Sequence, residues 1–223
     1  MTSGLAAAKL TVFAAASLAS VFPQVDKAPR YSFAGSDQLA FQIVQGAPAD
    51  VFAAANTKYP DKLYARGLAH KPRVFATNEL VLIVPRENDA RIRSVYDLRR
   101  SGVRVLIGGR GVPVGDYARQ ALAKLRLSSV LARVVSNETD VKAVVAKVAL
   151  GEADAGFVYR TDARAAAGAV GTIRLPAKAQ PRIAYEIAVV KATRRLSAAR
   201  AFVARVLSPR GRAALRRAGF GVP

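Results

Sequence analysis

Two serines follow predicted β-strands directly, and each begins a helix-like run. Ser17 comes after the apolar residues 10–13 and three alanines, and Ser36 comes after residues 30–33. A serine at a helix start can bind free backbone N–H groups, and open α/β sheets bind ligands at the carboxyl ends of their strands. The two serines are therefore candidates for a ligand site.

A glycine-rich segment, residues 108–115, also lies between a predicted strand and a predicted helix. Backbone N–H groups at such a helix entry bind anions. The segment lacks the Gly-Lys-Ser/Thr ending of a phosphate-binding loop, and the spacing after Gly109 and Gly111 differs from a dinucleotide fingerprint. It therefore indicates an anion site and disfavours a nucleotide site.

Residues for metal or hydrolytic chemistry are scarce or isolated. The single histidine, His70, has no partner at metal-ligand spacing. Gly35-Ser36-Asp37 is not the elbow motif of a serine hydrolase, and nothing in the spacing selects a carboxylate pair such as Asp154 with Asp162. We expect a protein that is not an enzyme and that carries no cofactor.

The chain is strongly basic, with 35 Lys and Arg against 15 Asp and Glu in 223 residues, a net charge of +20. This charge attracts nucleic acid, anionic membranes and small oxyanions alike. The arginines are spread along the chain and no aromatic-rich motif accompanies them, which disfavours specific nucleic-acid binding. A basic nucleic-acid-binding protein nevertheless remains an alternative.

Short apolar segments alternate with amphipathic ones, which predicts an α/β fold with mainly parallel sheets. The predicted strands are residues 10–13, 30–33, 50–53, 80–84, 104–107, 155–159 and 183–190. The predicted helices are residues 36–45, 57–66, 114–125, 139–150 and 197–206.

Several segments resemble the molybdate-binding receptors of ABC transporters. They are Val12-Phe13-Ala14-Ala15-Ala16-Ser17-Leu18, Phe33-Ala34-Gly35-Ser36, Gly46-Ala47-Pro48-Ala49-Asp50, Val112-Pro113-Val114-Gly115, Asp140-Val141 and Gly156-Phe157-Val158-Tyr159. The resemblance runs from about residue 9 to residue 220. It implies the two-lobed type II periplasmic-binding-protein fold, with mixed sheets flanked by helices and the ligand in the cleft between the lobes.

The resemblance also implies a set of ligand contacts. Ser17 and Ser36 would donate from one lobe, and Val114, Val141 and Tyr159 from the other. The valines would offer backbone N–H groups and Tyr159 its phenolic O–H. Molybdate or tungstate would be held as an oxyanion without direct ligation of the metal. Sulfate or phosphate on the same fold is the nearest alternative ligand.

The predicted lobes are residues 1–79 with 188–223, and residues 80–187, joined at a hinge near 78–80 and 187–188. The implied partners are an ABC permease with its ATPase, and we expect a monomer. The expected location is periplasmic or otherwise extracytoplasmic, free or anchored to the membrane. Residues 10–22 form the first strand and binding loop in this interpretation, so an export signal would lie upstream and is absent here.

Two features depart from the family pattern. The segment of residues 17–33 is shorter than the family pattern and contains Pro23, which predicts a truncated first helix. Asp37 follows Ser36, a predicted ligand-binding residue, and a carboxylate that faced the pocket there would repel an anion. We expect its side chain to point outward, in the first turn of a helix whose dipole favours a negative charge.

Overall fold

The computed structural model describes residues 9–223, so the first eight residues of the predicted first lobe lie outside the described part. Ten strands form two sheets of five strands each. The strands are β1 Thr11–Ala15, β2 Arg30–Ala34, β3 Val51–Ala54, β4 Arg73–Asn78, β5 Leu80–Pro85, β6 Val105–Gly108, β7 Val134–Glu138, β8 Ala155–Tyr159, β9 Val170–Arg174 and β10 Ile183–Val189.

Helices cover both sheets. They are α1 Phe22–Val25, α2 Ser36–Val44, α3 Lys58–Ala65, α4 Pro113–Lys124, α5 Val141–Ala149, α6 Arg160–Ala165, α7 Leu196–Leu207 and α8 Pro209–Arg217. Short 3-10 helices span Ala16–Leu18, Val95–Arg99, Ser128–Arg133 and Ala177–Ala179. Every predicted strand and helix is present, with its ends within about two residues of the prediction.

Strand order gives each sheet a mixed character. The first sheet has the order β2-β1-β3-β10-β4, and the second has the order β7-β6-β8-β5-β9. The pairs β1–β2, β1–β3, β6–β7 and β6–β8 are parallel, whereas β10 and β5 are antiparallel to both of their neighbours. The mixed sheets implied by the resemblance are confirmed, and the expectation of mainly parallel sheets from alternation alone was wrong.

The chain passes from the first sheet to the second at Glu79, inside the predicted hinge. It returns between β9 and β10, in residues 175–182. The other predicted hinge position, Ile187 and Ala188, lies inside β10. Because β10 pairs with β4 from Ile183 and with β3 as far as Val189, the whole strand belongs to the first sheet.

The central strands are apolar throughout because other elements cover both of their faces. All residues of β3 and of β8 are buried, the pattern expected of strands enclosed on both sides. The truncated first helix is confirmed: α1 has four residues and begins with Phe22 and Pro23. The Phe22 ring packs on Phe75 and Phe202, with ring centroids 5.8 Å and 5.7 Å away, and this aromatic contact fixes the short helix.

Candidate functional site

All five residues of the predicted site line one cavity between the two sheets. Ser17, Ser36, Val114, Val141 and Tyr159 are each buried, with at most 4% of their surface exposed. The cavity measures about 20 Å³, taken as the space open to the centre of a water-sized sphere. About one such sphere is needed to hold a water molecule, so the space favours a small ion over a sugar or a nucleotide.

Helix starts from both sheets converge on this cavity. Ser17 lies in the 3-10 helix after β1, and Ser36 is the first residue of α2. Val114 is the second residue of α4, and Val141 is the first residue of α5. Backbone N–H groups in a first helical turn lack partners within the helix and carry a partial positive charge. These N–H groups therefore give the cavity positive potential although no Lys or Arg side chain lines it.

The glycines of residues 108–115 allow α4 to begin this close to the end of β6. A Cβ on Gly115 would lie 2.0 Å from the carbonyl oxygen of Gly108, a distance that no side chain tolerates. Gly111 adopts a φ of 89°, which favours glycine. The glycine-rich segment therefore serves close helix-to-strand packing, which places the Val114 N–H at the cavity.

The hydroxyl of Ser36 is oriented by the backbone. Its Oγ accepts a hydrogen bond from the Ala55 N–H at 3.1 Å. Because the oxygen already accepts, its own proton is free to be donated to a ligand in the cavity.

The hydroxyl of Ser17 is oriented by a chain of side chains. Its Oγ lies 3.0 Å from Tyr185 Oη, and Tyr185 Oη accepts from Asn78 Nδ2 at 3.4 Å. The Asn78 Oδ1 accepts from the Glu79 N–H at 2.9 Å, which fixes the amide with its Nδ2 toward Tyr185. Either hydroxyl of the Ser17–Tyr185 pair can be the donor. When Tyr185 donates, the Ser17 proton is left for the cavity.

Tyr159 contributes a phenolic group with no partner. Its Oη is buried and forms no hydrogen bond to any residue in the described range. Burial, with Tyr185 nearby, raises the pKa of Tyr159 well above its ordinary value, so the phenol is a protonated donor at neutral pH. An unsatisfied buried hydroxyl costs free energy, and an anion that accepts this proton would remove the cost.

Two carboxylates lie close to the site, and neither opposes an anion strongly. Asp140 lines the cavity, but its Oδ1 accepts from the Lys142 and Ala143 N–H groups as the cap of α5. Asp37 lies in the first turn of α2 as predicted, and it does not line the cavity. The expectation that it points outward was wrong in one respect, because its Oδ1 is buried without a partner and burial raises its pKa.

Three contacts join the two sides at the mouth of the cavity. The Tyr59 hydroxyl on α3 donates to the Gly111 carbonyl at 2.6 Å, and Lys58 lies 3.8 Å from Asp116 on α4. The third is a close approach of Gly35, where a Cβ would lie 2.5 Å from the carbonyl oxygen of Thr139. These contacts hold the two sides together beside the cavity.

Sequence reasoning missed Tyr185 and Asn78 as orienting residues. A polar side chain at the end of β4 and a tyrosine within the apolar strand β10 were the available signals. An ion pair of a buried carboxylate also went unpredicted: the partly exposed Lys142 Nζ lies 2.9 Å from Asp162 Oδ1. Burial raises the pKa of Asp162, and Lys142 partly offsets this rise.

Residues 9–223 contain no group of three His, Cys, Asp or Glu side chains that could hold a metal ion. No helix in the same part of the chain is long and apolar enough to cross a membrane.

Known proteins resemble this chain over almost its full length. The molybdate-binding protein ModA of Mycobacterium tuberculosis is 40% identical over 227 residues, covering 97% of this chain and 86% of the relative. The ModA of Haemophilus influenzae is 34% identical, covering 83% and 80%. The periplasmic molybdate-binding protein of Azotobacter vinelandii superposes with a TM-score of 0.86 at 26% identity, covering 96% of this chain and 100% of that one.

Proteins that bind another ligand share this fold. The sulfate-binding protein SubI of Mycobacterium tuberculosis superposes with a TM-score of 0.81 at 19% identity, covering 95% of this chain and 86% of that one. The family model for bacterial extracellular solute-binding proteins matches residues 10–221. The family resemblance inferred from the motifs is thus confirmed, and the chain belongs to the bacterial extracellular solute-binding protein family.

Proposed function

We propose that this protein captures molybdate or tungstate outside the cytoplasm and delivers it to an ABC permease with its ATPase. The observation that carries the proposal is the polarity of the cavity. Ser17, Ser36 and Tyr159 each have a proton free to donate, and the N–H groups at Val114 and Val141 can only donate.

A fully ionised tetrahedral oxyanion can only accept hydrogen bonds, so it matches such a cavity. Each charge-assisted hydrogen bond contributes roughly 1.5–3 kcal/mol net. Five donors can therefore support binding in the micromolar to nanomolar range after the costs of association and closure. Hydrogen phosphate carries a proton that needs an acceptor, and the carboxylate that lines the cavity, Asp140, already caps α5 through its Oδ1.

The ligand contacts come from both sheets, which supports hinge closure as the binding mechanism. We place one lobe around the first sheet, with residues 9–78 and 183–223, and the other around the second sheet, with residues 80–174. Closure would complete the cavity and form the contacts at its mouth. The permease would recognise this closed form, and the protein would act as a monomer without catalysis or cofactor.

Calorimetric titration of the purified protein with molybdate, tungstate, sulfate and phosphate tests the proposal. We expect tight binding of the first two, lost in the double variant Ser17→Ala, Ser36→Ala. The exposed serines Ser129 and Ser197, which lie away from the cavity, supply a matched control, Ser129→Ala with Ser197→Ala. Tighter binding of sulfate than of molybdate would reassign the ligand. The absence of a binding signal with all four anions would refute the proposal that the protein is an oxyanion receptor.

A further inference from the structure

A second pocket, away from the oxyanion cavity, is lined by three arginines. It is formed by Arg160, Arg164, Arg216, Gly219 and Phe220, and we call it the arginine pocket. Its volume is about 500 Å³, within the 300–1,000 Å³ typical of small-molecule sites. Phe220 is buried and gives the pocket an apolar floor.

The arginine pocket lies between parts of the chain that belong to different sheets. Arg160 and Arg164 lie on α6, which follows β8 of the second sheet. Arg216 lies near the end of α8, which packs on α7, and α7 packs on β10 of the first sheet. The three guanidinium groups converge because of the tertiary fold, since 52 residues separate Arg164 from Arg216.

The positive charge in the arginine pocket is poorly compensated. Arg160 donates to the Gly219 carbonyl at 3.0 Å and pairs with Glu79 at 3.2 Å. That ion pair is about half exposed, so it contributes little. The guanidinium groups of Arg164 and Arg216 form no hydrogen bond or ion pair within residues 9–223. Arg160 and Arg164 also stand four residues apart on one helix face, where like charges repel.

We propose that the arginine pocket binds a phosphate monoester, either as a free small molecule or as a lipid headgroup. The planar guanidinium group donates two parallel hydrogen bonds to phosphate, and it suits this geometry better than lysine does. The Phe220 floor offers contact to an organic substituent, which inorganic phosphate lacks. The site is independent of the oxyanion cavity and does not rest on the function proposed for it.

The test titrates the double variant Ser17→Ala, Ser36→Ala, in which the cavity cannot contribute phosphate binding. Its probes are glycerol 3-phosphate and vesicles that contain phosphatidic acid, at about 0.15 M ionic strength, where the Debye length is about 8 Å. Two further changes are compared in that background. The pocket change, Arg164→Gln with Arg216→Gln, removes two of the three arginine charges of the pocket. The control change, Arg174→Gln with Arg182→Gln, removes the same charge from exposed arginines outside it.

We expect the pocket change to weaken glycerol 3-phosphate binding at least about tenfold, and the control change to alter it less than about twofold. Equal weakening by both changes would attribute binding to net charge and overturn the proposal, as would no binding of either probe by the unchanged pocket. If vesicle binding also falls only with the pocket change, the source is a headgroup. If the pocket change and the control change affect vesicle binding equally, the ligand of the pocket is a free phosphate ester. Equal melting temperatures of the two variants exclude misfolding as the cause.

Discussion

Replacing Tyr59 with phenylalanine removes one hydrogen bond across the mouth of the cavity. The Tyr59 hydroxyl donates to the Gly111 carbonyl at 2.6 Å, from α3 of the first lobe to the entry of α4 in the second. Burial, together with Asp37 and Asp116, raises the pKa of Tyr59 to about 12, so the hydroxyl remains a donor at neutral pH. Because this bond joins the two lobes, it should exist only in the closed form.

The size of the effect follows from the partners involved. A neutral hydrogen bond contributes about 0.5–1.5 kcal/mol net. The Gly111 carbonyl lies near the surface and can bind water once the tyrosine is gone, so no buried acceptor is left unsatisfied. We therefore expect Tyr59→Phe to weaken molybdate binding about 2- to 12-fold and to leave the melting temperature of the ligand-free protein unchanged.

Calorimetric titration with molybdate measures the affinity, and Tyr64→Phe on the same helix is the matched control. Tyr64 is 47% exposed and does not line the cavity. If Tyr59→Phe and Tyr64→Phe bind molybdate equally well, the bond to Gly111 does not stabilise the closed form. A lower melting temperature of ligand-free Tyr59→Phe would mean that the bond persists without ligand, which contradicts hinge opening.

Three further predictions concern closure, the cavity and a buried acid. Gly35→Ala should weaken molybdate binding at least about tenfold by calorimetry, because its Cβ would lie 2.5 Å from the Thr139 carbonyl oxygen, whereas Gly168→Ala, with open space around it, should have no effect. Tyr159→Phe should weaken molybdate binding about 10- to 100-fold, because it removes a donor that has no other partner around the cavity; unchanged affinity would contradict this. Burial raises the pKa of Glu186 to about 7, so between its ordinary value near 4.5 and 7 the folded protein holds a proton that the unfolded chain releases, and stability falls as the pH rises through that window. Glu186→Gln should abolish this fall and raise the melting temperature by roughly 5–10 °C at pH 8 relative to its effect at pH 5; equal shifts at both pH values would be inconsistent with a protonated Glu186.

Local sequence was enough to predict the strands and helices that position the site. Strands such as β8 and helices such as α4 have strong apolar patterns, so their positions follow from periodicity. The strands β4, β7 and β9 were not predicted, because exposed residues interrupt their apolar pattern. The helix α6 has only six residues, which is too short for a periodic signal.

The direction of the strands was beyond local sequence. The strand β10 inserts between β3 and β4 and runs antiparallel to both. Its apolar residues suit either direction, so pairing decides its orientation and moves the return crossing to residues 175–182. The same limit applies to Asp37, because its burial depends on neighbours from distant parts of the chain.

The sequence by itself determined which residues could meet an anion, because a helix start exposes N–H groups wherever it is placed. Ser17, Ser36, Val114 and Val141 could therefore be proposed from their positions after strands and at helix starts, with the family resemblance. Only the tertiary structure supplied the partners of the serine hydroxyls. Tyr185 on β10 contacts the Ser17 oxygen, and the Ala55 N–H, just after β3, donates to the Ser36 oxygen. These partners are distant along the chain, so local sequence does not reveal them.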